Sequence, residues 1–335
     1  MGVNLKEIVP RTDIGFEKLK NKVIAVDAYN VLFQFITSIR QHDGSPLTDD
    51  KGRITSHLVG LFSRIPNLMS KGIKVCFVFD GESPEEKKQE VERRAKIKAE
   101  AKEKYFSAKD SGDVDGMNKY ARQYARLSSE MVDEAKKLLL ALGIPVIQAP
   151  SEAEAQAAYM CKKKDVWAVA TQDYDALLFK SPRVIQNLTL SKKRKTSAGK
   201  YKAVNPQLIV LSDVLNELKI DHDQFIILSI LTGTDFNVGG VKGIGPKTAL
   251  KLVKSDKVFD KIFEEVDAKF DWKPIFNLIK NMPITDDYNL EFKEVNKETI
   301  YKLLVEEHNF SNERVENTLK KLFVENKQKD LTRWF

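Results

Sequence analysis

Three short runs of this chain are apolar from end to end, and each runs into carboxylates. Val23-Ile24-Ala25-Val26 leads to Asp27, and Val75-Cys76-Phe77-Val78-Phe79 leads to Asp80. Val166-Trp167-Ala168-Val169-Ala170 leads through Thr171 and Gln172 to Asp173 and Asp175. Continuous apolar stretches of this length fit strands buried on both faces, as inside a parallel sheet. Helical patterns fill the gaps, over 56–69, 129–142, 151–161 and 225–231. The expected fold class is α/β, with a parallel-rich central sheet flanked by helices. The strand ends would then share the carboxyl edge, where α/β proteins build their sites. A single Asp after a strand is more often the N-cap of the next helix. Three strands ending this way, the third with a pair of acids, favour a site.

Composition removes several alternatives. The 335 residues are 42% hydrophobic and 31% charged, which describes a globular chain with a sizeable core. Two cysteines, Cys76 and Cys161, can form neither a disulfide framework nor a Cys-rich zinc site. The N-terminal residues lack the apolar core of a signal peptide, and no apolar run approaches the ~20 residues of a membrane span. An intracellular setting without membrane attachment is expected. The net charge is only +7, but cations cluster: no acid lies between Asn187 and Ser212, whereas Lys192, Lys193, Arg194, Lys195, Lys200 and Lys202 do. Such a loop suits a polyphosphate partner, although a solvated loop is the plainer reading.

Further acids can join the three strand ends. In Ser151-Glu152-Ala153-Glu154, Ser151 and Glu154 have capping-box spacing, a structural role for Glu154. Asp235, in Gly233-Thr234-Asp235, reads alone as a turn residue after an apolar helix. If all seven acids meet, they cannot all stay ionised unaided: either several take protons or cations neutralise them. Oxygen donors without His or Cys suit Mg²⁺, with Mn²⁺ as a substitute. So many acids suit two ions roughly 3.5–4 Å apart, which activate a water and stabilise the transition state of phosphodiester hydrolysis.

A second motif points the same way. Val241-Lys242-Gly243-Ile244-Gly245-Pro246-Lys247-Thr248-Ala249-Leu250 reads as a helix-hairpin-helix turn. Gly243 and Gly245 permit a tight turn that presents backbone N–H groups, Pro246 suits the first helical position, and Lys247 adds charge. Such a hairpin holds duplex backbone without reading bases. Residues 85–126 fit the sheet scheme poorly. They are dense in charge, break at 110–116, and read as two helices projecting into solvent without an apolar stripe. Helices are also expected over 298–308 and 312–325, the second capped by Ser311 and followed by a polar stretch over 326–330.

Taken in order, Val26-Asp27-Ala28, Phe79-Asp80-Gly81, the segment Ala149 to Ala155, Thr171-Gln172-Asp173-Tyr174-Asp175, Gly233-Thr234-Asp235 and the Gly243 to Lys247 hairpin resemble the flap endonucleases. These belong to the structure-specific 5′ nuclease (XPG/Rad2-like) superfamily, and the resemblance runs nearly end to end. It implies a PIN-like nuclease core with a helical arch. It implies that Asp27, Asp80, Glu152, Glu154, Asp173, Asp175 and Asp235 hold two Mg²⁺ ions, and that Lys87 and Arg94, at the base of the arch, steer the scissile phosphate. Gly2 would lie near the active site. Phe33, where some relatives carry Tyr, would stack on a base. Arg40, Thr55 and Arg64 would surround the strand opening and upstream duplex, with the basic loop and hairpin on the remaining duplex. Gln328, Leu331, Trp334 and Phe335 resemble a sliding-clamp-binding tail of archaeal type, Trp334 departing from the usual Phe or Tyr.

The implied activity is cleavage of 5′-flap DNA near the single-strand/duplex junction, leaving a 3′-hydroxyl and a 5′-phosphate, with 5′→3′ exonuclease activity. The implied setting is Okazaki-fragment processing and long-patch base excision repair by a protein monomeric when free. The expected organisation is a nuclease region over 1–98, the rest of the first arch helix and its turn over 99–115, an intermediate nuclease region with the hairpin over 116–258, a helical region over 259–326 and the tail over 327–335. A bubble- or junction-cutting relative and a non-catalytic clamp adaptor are the alternatives.

Overall fold

The structure is a computed structural model that describes residues 3–41, 44–189, 193–195 and 201–331, with backbone alone at 193–195, 201–203 and 323–331. Gly2, Lys192, Trp334 and Phe335 lie outside the described residues. Among those described, the strands are β1 (Thr12–Asp13), β2 (Val23–Asp27), β3 (Lys74–Phe79), β4 (Val146–Gln148), β5 (Ala168–Ala170), β6 (Arg183–Gln186), β7 (Lys193–Lys195), β8 (Tyr201–Ala203) and β9 (Gln207–Val210). β7 and β8 form a separate antiparallel pair, so Lys193, Arg194 and Lys195 sit on a small hairpin. The other seven strands form one sheet in the order β1-β9-β6-β5-β2-β3-β4.

The expected parallel core is present: β4, β3, β2, β5 and β6 run parallel, and β9 and β1 close one edge antiparallel. Val26 is in register with both Phe77 and Ala170, so the chain leaves the three acid-bearing strands at one level.

The helices are α1 (Ala28–Ser38), α2 (Ser56–Ser70), α3 (Lys88–Asp110), α4 (Val114–Gln123), α5 (Ser129–Ala141), α6 (Ala153–Lys162), α7 (Asp175–Leu178), α8 (Leu211–Leu218), α9 (His222–Thr232), α10 (Pro246–Ser255), α11 (Phe259–Glu265), α12 (Trp272–Lys280), α13 (Lys297–Tyr301) and α14 (Asn312–Leu331). They cover both faces of the sheet. On one face, residues of α1, α2, α5, α13 and α14 pack against Ile24, Val26, Phe77 and Phe79. On the other, α6, α9, α10 and α12 pack against Ala25, Cys76, Val78 and Val169. The alternating sidedness of strand residues divides one apolar run between two cores.

Four expectations need correction. The chain over 85–126 does not simply project into solvent: α3 and α4 pack on each other through buried Ala101, Tyr105, Ala108 and Ala121. Small residues let the two backbones approach where no broad apolar stripe exists. The helix expected over 298–308 is α13, capped by Asn296, continuing into a π-helical turn, Lys302–Glu307. The last helix runs beyond residue 325 to Leu331, over Lys, Gln and Leu residues of good helix propensity. Finally, the Ser151–Glu154 capping box does not form. Ser151 Oγ donates to Glu82 O, and Glu152 occupies the N-cap position of α6.

A polar cluster lies inside the fold where no sequence signal marked it. His308, from the turn after α13, contacts Asp49 through Nδ1 and Glu134 through Nε2, both at 3.0 Å. His57 of α2 contacts the other oxygen of Glu134, of α5, at 3.0 Å. Arg53 donates to Asp49 and to the Glu307 carbonyl. Burial alone would raise Glu134, but hydrogen bonds from His308 and His57 hold its pKa down at about 2. The hydrogen bond to Glu134 raises His308 above the ordinary histidine value, against its burial.

Candidate active site

All seven acids come to the carboxyl edge of the sheet. Asp27 ends β2 and caps α1, accepting from Asn30 N at 3.1 Å, so the cap and the site share one side chain. Asp80 follows β3 and accepts from Ala153 N at 2.7 Å, capping α6 from across the chain. That contact depends on Gly81, where a Cβ would sit 2.2 Å from the Ala149 carbonyl oxygen. With no side chain there, the backbone after Asp80 lies against the entrance to α6, and Gly81 N donates to Ser151 O at 2.7 Å. Glu152 at the N-cap and Glu154 in the first turn of α6 are both buried. Near the helix end, an offset of two residues does not separate them from the cleft.

Asp173 is held by neighbours, and Asp175 opens α7. Asn30 Nδ2 donates to Asp173 Oδ2 at 2.9 Å, and Thr171 Oγ1 accepts from Asp173 N at 3.2 Å while donating to Glu154 Oε1 at 2.9 Å. Asp175 accepts from Val3 N at 3.0 Å, which brings the N-terminal segment to the site. Asp235 follows α9 in a turn fixed by Asn237, whose Oδ1 accepts from Thr234 N and Oγ1 and whose Nδ2 donates to Ile230 O.

The electrostatics confirm that these groups act on one another. Burial, then repulsion from Asp80, Asp173 and Glu152, raises Asp27 well above the ordinary aspartate range. Burial, then Asp175, Asp27 and Asp173, does the same to Glu154. Asp175 is pushed up to about 7 by burial, Asp173 and Asp235. Asp80 and Glu152 are raised mainly by burial.

Two cations enter from the base of α3. Lys87 Nζ lies 2.6 Å from Glu152 and 3.7 Å from Asp235, and Arg94 Nη2 donates to Asp235 at 2.7 Å. Burial works against the Lys87 ammonium, but Glu152, Asp235 and Asp80 outweigh it and raise its pKa. Among the described residues no three acidic, His or Cys side chains form a closed ligand set, and part of the negative charge is paired with Lys87 and Arg94.

Residues 1–101 match the XPG N-terminal domain and residues 143–235 match the XPG I-region. The flap endonuclease 1 of Thermococcus onnurineus is 48% identical over 339 residues, covering 100% of this chain and 99% of its own. That of Pyrococcus furiosus is also 48% identical, with the same coverage. The chain belongs to the flap endonuclease 1 family. A solved flap endonuclease-1 from Methanococcus jannaschii superposes with a TM-score of 0.78 at 42% identity, covering 98% of this chain and all of that one. The catalytic core of Rad2, solved in complex with DNA substrate, shares the fold at 21% identity and a TM-score of 0.69.

Within this flap endonuclease fold the other expected site residues lie on separate elements. Phe33 of α1 is 37% exposed, with Lys98 Nζ of α3 5.2 Å from its ring centre. Arg40 is half-buried and donates to Gly44 O at 2.8 Å, Thr55 is buried at the start of α2, and Arg64 is half-buried within α2. Gly243 has φ +83°, a left-handed conformation that suits glycine, and Gly245 and Pro246 open α10 as the hairpin reading requires. Lys247 is exposed, 3.3 Å from Glu7. Gln328 and Leu331 lie on α14. Asn30 and Thr171 were missed by sequence reasoning. Their only signal was position, one turn after Asp27 and directly after β5.

Proposed function

We propose that this chain cleaves 5′-flap DNA near the single-strand/duplex junction by divalent-metal-dependent hydrolysis, leaving a 3′-hydroxyl and a 5′-phosphate, with 5′→3′ exonuclease activity. The supporting observation is the convergence of seven carboxylates from separate segments on one sheet edge beside Lys87 and Arg94. The donor set fits Mg²⁺ or Mn²⁺: it is all oxygen, it lacks His and Cys, and burial and mutual repulsion disfavour its ionised form unless positive charge is added. Asp27, Asp80, Glu152, Glu154, Asp173, Asp175 and Asp235 would hold two ions, directly or through water. When bound, the ions would lower the pKa of the attacking water and offset charge on the phosphodiester in the transition state.

The chain's own groups supply the rest. Asn30 and Thr171 orient Asp173 and Glu154. Lys87 and Arg94, now on Glu152 and Asp235, would turn to the scissile phosphate, Lys87 as a point charge and Arg94 as a planar clamp. Phe33 offers a π face to a base at the junction. The β7–β8 hairpin, with Lys192 beside it in sequence, and the Gly243–Lys247 turn would hold duplex backbone, Arg40, Thr55 and Arg64 would border the upstream duplex, and Gly2 would border the site. The tail residues Gln328, Leu331, Trp334 and Phe335 would dock on a sliding clamp, placing the enzyme at Okazaki-fragment and repair junctions inside the cell.

Single-turnover cleavage of flap, bubble and four-way-junction DNA, with Mg²⁺ and with chelator, tests the proposal. Flap cutting should dominate and should stop without Mg²⁺. Equal cutting of junctions would redirect the proposal to the resolving relatives, and cutting in chelator would refute the metal reading. Removing residues 328–335 should leave basal cleavage intact and abolish stimulation by the clamp.

A further inference from the structure

Glu90 is the one residue between 81 and 98 that is buried, at 3% exposure, in a stretch otherwise open to water. A carboxylate beside a phosphate-binding arginine weakens the pull on DNA, so its burial there calls for another reason. An ordinary i,i+4 pair on a helix stays exposed and adds little to stability. Glu90 is instead fully engaged. Arg93 donates to both of its oxygens, Nε at 2.6 Å and Nη2 at 2.7 Å, and Arg94 Nε donates to Oε1 at 2.5 Å. Arg94 Nη2, on the same planar group, then reaches Asp235.

We infer that Glu90 is a positioning residue: by holding Nε of Arg94 it fixes the guanidinium plane so that Nη2 faces the carboxylate cleft, where the scissile phosphate is read. The inference rests on the proposed role of Arg94. A planar fork clamps a phosphate through two parallel hydrogen bonds only in one orientation, so orientation matters more here than one unit of charge. Arg93 closes the far side of Glu90 and keeps the buried carboxylate compensated.

This predicts effects of opposite sign on binding and on chemistry, which a merely structural salt bridge would not give. In Glu90→Ala, flap DNA should bind as tightly as in the wild type or tighter, because a negative charge is gone, while the single-turnover rate falls about tenfold or more, as for other residues that orient a reacting group's partner. Glu90→Gln, which keeps an oxygen for Arg94 Nε, should fall between. In an Arg94→Ala background, Glu90→Ala should cost nothing further, because coupled residues are not additive. Additive losses, or parallel weakening of binding and rate with a lowered thermal midpoint, would overturn the inference. So would a wild-type rate in Glu90→Ala while Arg94→Ala is slow. If Arg94→Ala itself cuts at the full rate, the role given to Arg94 has failed, and this inference falls with it.

Discussion

At the carboxyl edge of the sheet, seven carboxylates meet and two of them, Glu152 and Asp235, pair with Lys87 and Arg94; between α2, α5 and the turn after α13, Asp49 and Glu134 share His57, His308 and Arg53. Both groups are largely removed from water, yet their ionisation moves in opposite directions. Glu134 is held down at about 2, whereas Asp175 is pushed up to about 7. The second cluster is balanced within the chain and ties the turn around Asp49 to the C-terminal helices. The first is left unbalanced, which costs the folded protein stability and leaves a demand for cations. A buried charge that the fold itself satisfies is architecture, and one that it leaves unsatisfied is a place for a partner.

Mutation separates the two kinds of cluster most sharply in activity. Asp175→Ala should lower single-turnover flap cleavage by roughly 10³-fold or more, about 4 kcal/mol of transition-state stabilisation, while DNA binding persists. Glu134→Ala, at equal folded protein, should cut like the wild type. Loss of cleavage in Glu134→Ala without unfolding would erase the distinction.

The next effect is in stability against metal. Mg²⁺ at 100 times its dissociation constant should stabilise the wild type by about 2.7 kcal/mol for each ion bound, read as a shift in the denaturant midpoint. Asp175→Ala should lose most of that gain, and Glu134→Ala should keep it. The sign with pH follows from the raised carboxyls: in metal-free protein their contribution is complete below the ordinary aspartate value and is lost as pH rises through about 7 for Asp175. Mg²⁺ should therefore stabilise more at high pH than at low pH.

Glu134→Ala should destabilise by about 1–3 kcal/mol, because two buried imidazoles lose their acceptor. The contribution of Glu134 is complete above the ordinary glutamate value and disappears as pH falls towards about 2. That of His308 is complete below the ordinary histidine value and disappears as pH rises through its raised pKa. The difference between wild type and variant should be largest at mildly acidic pH, between those two values. A difference that stays flat from pH 2 to pH 9 would remove the histidines from the account.

How much of this was legible depended on whether the signal was local. The central strands were legible because each is a contiguous apolar run, and their acids because they follow directly. β1, β4, β6 and β9 were not, since two to four residues carry no period. The Ser151–Glu154 spacing misled because the N-terminus of α6 is capped by Asp80, about 70 residues earlier in the chain. The His57–Glu134–His308–Asp49 cluster was invisible because its members come from three distant segments, around 49–57, 134 and 308, each unremarkable alone. Glu90 looked like one charge among many, and its burial is set by the two arginines that follow it.

The central claim is that the unbalanced acids are a binding site for divalent ions. Titration of the wild-type protein with Mn²⁺, counting free ion by electron paramagnetic resonance, addresses it directly. About two ions per chain should bind, and Asp27→Asn together with Asp175→Asn should remove that binding while Glu134→Gln leaves it. Undiminished binding in the double variant, or no binding in the wild type, would contradict the account.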